Sequence, residues 1–256
     1  MSATQRAEID PASAAAASGK GRRPDAERTR REILAAARQE FAENGLSGAR
    51  VDAIAARMKT NKRMIYYYFG SKEGLYLAAL EEVYGDIRRM EQELDLESLT
   101  PSDAVRRLIE FTFDYQETHP DFIRMVCIEN IHNGRHLAKS KRLRDLNSSV
   151  IQQLDTILQR GRHQGVFRSG IGPVDLHMLI SAFCFFRVSN RHTFGVLFDW
   201  DLSAPDLRKR HKRMIGDAIL GLLQAETPVR TRCLVASGAG KARICRHATP
   251  RPTQQR

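Results

Sequence analysis

The chain has 256 residues, 42% of them hydrophobic, and a formal net charge of +11, which leaves room for one large or two modest domains with an ample core. Its four cysteines, Cys127, Cys184, Cys233 and Cys245, have no short pairing, which argues against a metal knuckle and against a disulfide framework. The basic balance suggests a polyanionic partner, but seven Lys/Arg and no acid lie between Thr227 and Arg256, so a nucleic-acid reading must rest on a motif.

Residues 1–24 are small, Gly- and Pro-containing and of mixed charge, and read as a disordered arm. Their Ala run is broken by Ser and precedes the basic residues, the wrong order for a secretion signal. Lys20, Arg22, Arg23, Arg28, Arg30 and Arg31 form a basic lead-in that can lie along a DNA groove or simply be solvated. An amphipathic helix is predicted from Asp25 to Asn44, with Ile33, Leu34, Ala37 and Phe41 inward and Asn44-Gly45 as its stop.

A second helix is predicted from Val51 to Met58, since Val51, Ile54, Ala55 and Met58 repeat at i, i+3, i+4, i+7. After the Lys59-Thr60 turn, Asn61 can cap a helix over Lys62 to Phe69. That helix divides by angle. Ile65, Tyr68 and Phe69 face inward; Lys62, Arg63, Tyr66 and Tyr67 face outward. Two cations and two amphipathic aromatics on a short exposed helix suit a major groove, where Lys and Arg read guanine edges. Gly70 ends the helix by adopting positive φ, Ser71 opens the next, and Lys72 stands where it can hold a phosphate and fix register.

The stretch IAARMKTNKRMIYYYFGSKEGLY resembles the helix-turn-helix of the TetR family of bacterial transcription regulators. The Ile-Ala pair, the Tyr-Tyr-Tyr-Phe helix end and the Ser-Lys-Glu-Gly-Leu start carry the likeness jointly. There are two departures. The family usually has Gly at the turn, where Lys59 stands here, and a left-handed non-Gly residue costs ~1 kcal/mol. It often has Thr ahead of the motif's first helix, where this chain has Ala49-Arg50; Arg50 lacks the hydroxyl cap but can reach a phosphate.

The helix opened at Ser71 is predicted to continue from Leu75 to about Leu96, with Leu75, Leu80, Val83, Ile87 and Met90 as its apolar stripe. Thr100-Pro101 restarts the chain, and Leu108, Phe111, Thr112 and Tyr115 share a face up to His119-Pro120. A helix from Asp121 carries Phe122, Met125, Val126 and Glu129 and stops at Asn133-Gly134; another runs from Leu143 to Gly165. Val174 to Phe198 is apolar almost all round, as for a helix buried on two sides. Leu202 to Gln224 follows, with Leu207, His211, Met214, Ile215, Ala218 and Leu222 on its stripe. No strand-like alternation occurs and no apolar run approaches the ~20 residues of a membrane span. The expected fold is all-α with about nine helices: arm 1–24, DNA-binding head 25–74, helical effector-binding and dimerisation body 75–226, disordered basic tail 227–256.

Polar groups embedded in apolar helices mark the candidate effector site, because an unpartnered buried polar group costs ~1–3 kcal/mol. These are Glu129 and Asn130 on one helix and Arg187 and Asn190 on another, with Phe122, Met125, Phe183 and Phe186 as walls. An internal Glu129–Arg187 pair or a dimer contact serves equally well. His132 and His136 have the i, i+4 spacing of a metal pair, but Gly134 lies between them without a nearby third ligand, so no metal or cofactor is expected. No local catalytic motif is present, so no enzyme activity is expected.

The TetR resemblance implies a homodimer through the last two long helices, a palindromic operator with half-sites ~34 Å apart, and a ligand held within the body. Over residues 120–200, FIRMVCIENIHNGRHL and GVFRSGIGPVDLHMLISAFCFF also resemble a TetR subgroup that regulates pyrimidine and nicotinate catabolism, which implies a small aromatic heterocycle or acid as effector. The expectation is a cytoplasmic, ligand-released repressor. An activator or effector-independent regulator of the same family stays open, as does, remotely, a helical-bundle enzyme with a vestigial head.

Overall fold

Helix capping sets most of the element boundaries. The computed structural model describes residues 22–58 and 60–224; the expectations for residues 1–21, Lys59 and the tail lie outside them. Ten α-helices are present among the described residues: α1 Arg22–Gly48, α2 Val51–Arg57, α3 Lys62–Phe69, α4 Lys72–Gln92, α5 Pro101–Thr118, α6 Pro120–Ile131, α7 Lys141–His163, α8 Pro173–Ser189, α9 Arg191–Phe198 and α10 Pro205–Leu223. A 3-10 turn at Leu137–Lys139 follows α6, and the isolated bridge Phe167–Gln224 is the nearest approach to a strand. The all-α expectation holds.

Several boundaries differ from the predicted ones for local reasons. α1 already includes Arg22, and it breaks at Gly45, where φ is 68°. α4 opens at Ser71 as expected, since Ser71 Oγ accepts the Gly74 N–H at 3.0 Å, but it ends at Gln92 rather than near Leu96, leaving Leu96 buried in the following loop. The predicted helix over 174–198 is two helices. Asn190 closes α8 by bonding its N–H to Phe186 O, and its carbonyl accepts the Phe194 N–H that opens α9.

Two apolar clusters organise the chain. The first joins α1, α2 and α3 (Ile33, Phe41, Ile54, Ile65) to α4 and α6 (Leu75, Tyr76, Leu80, Ile123, Met125). The second packs α5, α7, α8 and α10 around Leu108, Phe113, Leu154, Leu158, Ile180 and Ile219. Met90 lies outside both, 41% exposed. On α10 His211 and Ile215 of the predicted stripe are buried, together with Ile219, Leu220 and Leu223, whereas Met214, Ala218 and Leu222 form an exposed row.

One ionic hub pins α5, α8, α9 and α10. The buried Glu117 carboxylate accepts from Arg187 Nη2 at 2.9 Å and from Arg191 Nη2 at 2.7 Å, with Arg208 Nε 3.5 Å away. Arg187 also donates to Leu202 O, lies 2.5 Å from His211 Nδ1 and sits over the Phe113 ring. Burial, then the charges of Arg187 and Arg210, push the His211 pKa down, so the ring is neutral and accepts. Removing the acid strands a buried guanidinium, so Glu117→Ala is expected to cost about 3–5 kcal/mol in chemical denaturation. A backbone contact gives a second test: a Cβ at Gly161 would meet the buried Phe167 ring at 2.0 Å, so Gly161→Ala is expected to lower the denaturation midpoint by roughly 1–3 kcal/mol equivalent.

Candidate nucleic-acid interface and internal cavity

Local chemistry holds α3 out from the core. Asn61 Oδ1 accepts the Met64 N–H at 3.0 Å, so this side chain is committed to the cap. Gly70, at φ 73°, closes the helix with its N–H on Tyr66 O. Gly74 is required for space: a Cβ there would lie 2.2 Å from Phe69 O. Below the helix Ile65 is fully buried, Tyr68 and Phe69 pack against the same core, and the Arg30 guanidinium lies over the Phe69 ring.

The outer face carries Lys62, Arg63, Tyr66 and Tyr67, with Tyr67 78% exposed. Arg63 has no hydrogen-bond or ionic partner among the described residues. Lys62 does have one: its Nζ lies 2.6 Å from Asp52 Oδ1 on α2, an acid that the sequence reading left out. Arg50 is exposed, and its N–H donates to the buried Glu40 carboxylate at 3.1 Å, which fixes the start of α2 on α1. Lys72 Nζ donates to Ser47 O at 3.3 Å, tying the start of α4 to the end of α1. The arrangement is a small cationic and aromatic surface on a rigid support.

The sequence-predicted effector residues do not converge. Phe122 and Asn130 line a cavity of about 340 Å³ bounded by α4, α5, α6, α7 and α8. Phe183, Phe186 and Arg187 line a separate, largely apolar depression with Phe194, Trp200 and Met214. Met125 is fully enclosed in the first core, and Asn190 donates to Ser189 Oγ. Glu129 is buried but saturated: its carboxylate accepts the His136 N–H at 2.7 Å, the Leu137 N–H at 3.0 Å and a contact from His136 Nδ1 at 3.0 Å. Burial works to raise its pKa, but these bonds outweigh it and hold the group below the usual carboxylate range. Glu129 and Arg187 therefore do not pair with each other. His136 is held by Glu129, and the neighbouring His132 ring lies 5.6 Å away, centroid to centroid.

The cavity contains polar residues that the sequence did not single out. Arg88 is 5% exposed and Gln116 4%; His177, Thr112 and Asn147 share the lining, and Tyr84 and Phe185 add aromatic wall. Arg88 Nε and Gln116 Oε1 are buried without a hydrogen-bond partner among the described residues. Arg88 Nη1 lies 2.6 Å from Glu91 Oε2, yet neither atom is aligned for a hydrogen bond. Burial pushes the Glu91 carboxyl up to about 7, with Arg88 opposing. Burial, then the Arg88 charge, pushes His177 down to about 4, so its ring is neutral near pH 7.

Residues 33–79 match the family described as bacterial regulatory proteins, tetR family, and residues 101–219 match the tetracyclin repressor-like C-terminal domain. The HTH-type transcriptional repressor NicS of Pseudomonas putida is 37% identical over 199 residues, spanning 78% of this chain and 94% of that protein. The HTH-type transcriptional repressor SCO4008 of Streptomyces coelicolor is 31% identical over 160 residues, covering 62% and 77%. Among solved structures, the transcriptional regulator SCO4942 from Streptomyces coelicolor aligns with a TM-score of 0.58 at 26% identity, covering 76% of this chain and 98% of that one. With the head motif and the body each matched, and a relative aligned over nearly its whole length, this chain belongs to the TetR family of bacterial transcription regulators.

Proposed function

We propose that this regulator is a cytoplasmic homodimeric repressor that leaves its operator when a small molecule enters the cavity between α4 and α8. It acts by binding, without catalysis. The observation that carries the DNA half of this reading is the outer face of α3, where Arg63, Tyr66 and Tyr67 stand exposed on a helix whose other side is locked into the core. Arg63 and Lys62 suit guanine edges; Tyr66, Tyr67, Arg50 and Lys72 suit the flanking phosphates and sugars, with Asn61 as the cap that aims them. Residues 25–74 serve as the DNA-reading part and 75–226 as the effector and dimerisation part.

A second copy of the chain is the partner for the exposed apolar rows on α8 (Met178, Phe183, Phe186) and α10 (Met214, Leu222). A twofold pair of heads calls for inverted half-sites about one DNA turn apart. In the effector half, α4 joins the two ends. It starts at Lys72 beside α3 and carries Arg88 into the cavity, roughly 24 Å further along at 1.5 Å per residue. A ligand moves the heads only by preferring one of the two arrangements of that helix.

A gel shift on the DNA flanking the gene, with nonspecific competitor and a salt series, tests the reading. A discrete, competitor-resistant complex that needs two inverted half-sites is expected; binding erased by competitor would defeat it. Arg63→Ala is expected to weaken that complex by ~1–3 kcal/mol and to relax base preference at one position in each half-site. Asp52→Asn releases Lys62 and removes a negative charge from the same face. It is expected to tighten binding by roughly 0.5–1 kcal/mol, most at low salt; unchanged affinity across the salt series would place Lys62 away from the DNA.

A further inference from the structure

We propose that the cavity takes a small planar monocarboxylate, whose carboxylate draws the Arg88 guanidinium from Glu91 while Gln116 Oε1 accepts a hydrogen bond from the ring. The proposal rests on the reading of this cavity as the effector site. It starts from an imbalance. A guanidinium offers five donors in a planar fork, and inside a protein each unpaired donor is costly. Arg88 is buried at the end of α4, its Nε has no acceptor, and its closest acid, Glu91, sits at 2.6 Å without hydrogen-bond alignment. A flat ligand carboxylate matches the fork with two parallel bonds, which Glu91 does not achieve from three residues along the same helix.

The surroundings narrow the ligand further. Arg88 lines both the cavity of about 340 Å³ and a second one of about 540 Å³ that Glu91 and the loop Glu93–Glu97 also line, so Glu91 has a neighbouring cavity into which to withdraw. Among the described residues the other titratable groups lining the smaller cavity are Tyr84 and His177. Burial raises the Tyr84 pKa, and His177 is neutral near pH 7. Arg88 is thus the one cation of that lining among the described residues, and once Glu91 is drawn away a single negative charge is what it balances. The remaining wall favours a ring, with Tyr84 and Phe122 edge-on to each other at 5.3 Å and Phe185 completing the apolar side. In the same lining Gln116 Oε1 lacks a donor, which a ring N–H or O–H supplies. The volume, at the small end for ligand sites, suits one ring with its substituents.

Isothermal titration of the full-length dimer with benzoate and with pyridine-3-carboxylate, each against its own carboxamide, tests this directly. The acid is expected to bind at least tenfold more tightly than the amide of the same shape. Arg88→Gln should bring the two to parity. Glu91→Gln, compared with the wild type about a unit or more above the Glu91 pKa of about 7, removes the competing anion and should tighten the acid severalfold and leave the amide unchanged; this variant decides the matter if Arg88→Gln melts well below the wild type. Ser181→Phe, which fills the cavity, should abolish both. Equal binding of acid and amide, an acid preference that survives Arg88→Gln, or no binding of either acid overturns the proposal. If neutral ring compounds alone bind and Ser181→Phe blocks them, the cavity remains the effector site and only the anion assignment falls. If acid binding survives Ser181→Phe, the cavity assignment falls with it.

Discussion

The Phe41 ring set edge-on against Tyr76, 5.1 Å between centroids, is the contact on which the rest of this molecule turns. Phe41 belongs to α1 and Tyr76 to the first turns of α4, and both are completely buried. Through them the apolar core of the DNA-reading helices runs without a break into α6, where Ile123 and Met125 join the same cluster. A head that shared no core with the body would swing on a linker. Here any reorientation of α3 has to repack α4, and close-packed interiors resist that except by stepping between discrete arrangements. α4 is thus packed into the head's core at one end and lines the cavity at the other.

At the other end of the body, position is set by charge. Glu117 gathers guanidinium groups from α8, α9 and α10 around one buried carboxylate. Buried ion pairs contribute little net stability when compared with well-packed apolar groups, yet they are directional and costly to break. Directionality is the useful property here, because it fixes the rotation of α8 and so decides which of its apolar residues face Leu154 and Ile219 and which stay outside. The outward ones, Phe183 and Phe186 among them, are then free to meet a second chain while the inner ones close the core.

Much of this was legible in the residues. Caps and stops are local, so Asn61, Ser71 and Gly70 delimited α3 and the start of α4, and the division of α3 into an inner and an outer face followed from 100° per residue. The cavity was not legible, for a physical reason. Arg88-Arg89 with Glu91 behind reads as a solvated i, i+3 pairing, and in fact Arg89 does pair outside, with Asp86. Only the packing of α7 and α8 over α4 encloses Arg88, and that is a tertiary event with no local signature. The same limit separated the candidates on α8. Periodicity grouped Phe183 and Phe186 as apolar, but an apolar residue does not announce whether its own core or a neighbour will cover it. Asp52 escaped notice because the α2–α3 angle, which brings it to Lys62, is not written in either helix.

Arg38 on α1 reaches Asp86 on α4 at 3.0 Å through Nη1 and Asp121 on α6 through Nε. One rigid fork thus spans three helices, and its two prongs work as a latch with two teeth. A planar guanidinium held at both edges has to release one carboxylate before α1 can turn against α4 or α6. Turning α1 would therefore mean opening this charged contact together with the packed core. A lysine at this position would carry the same charge with a single pivoting point.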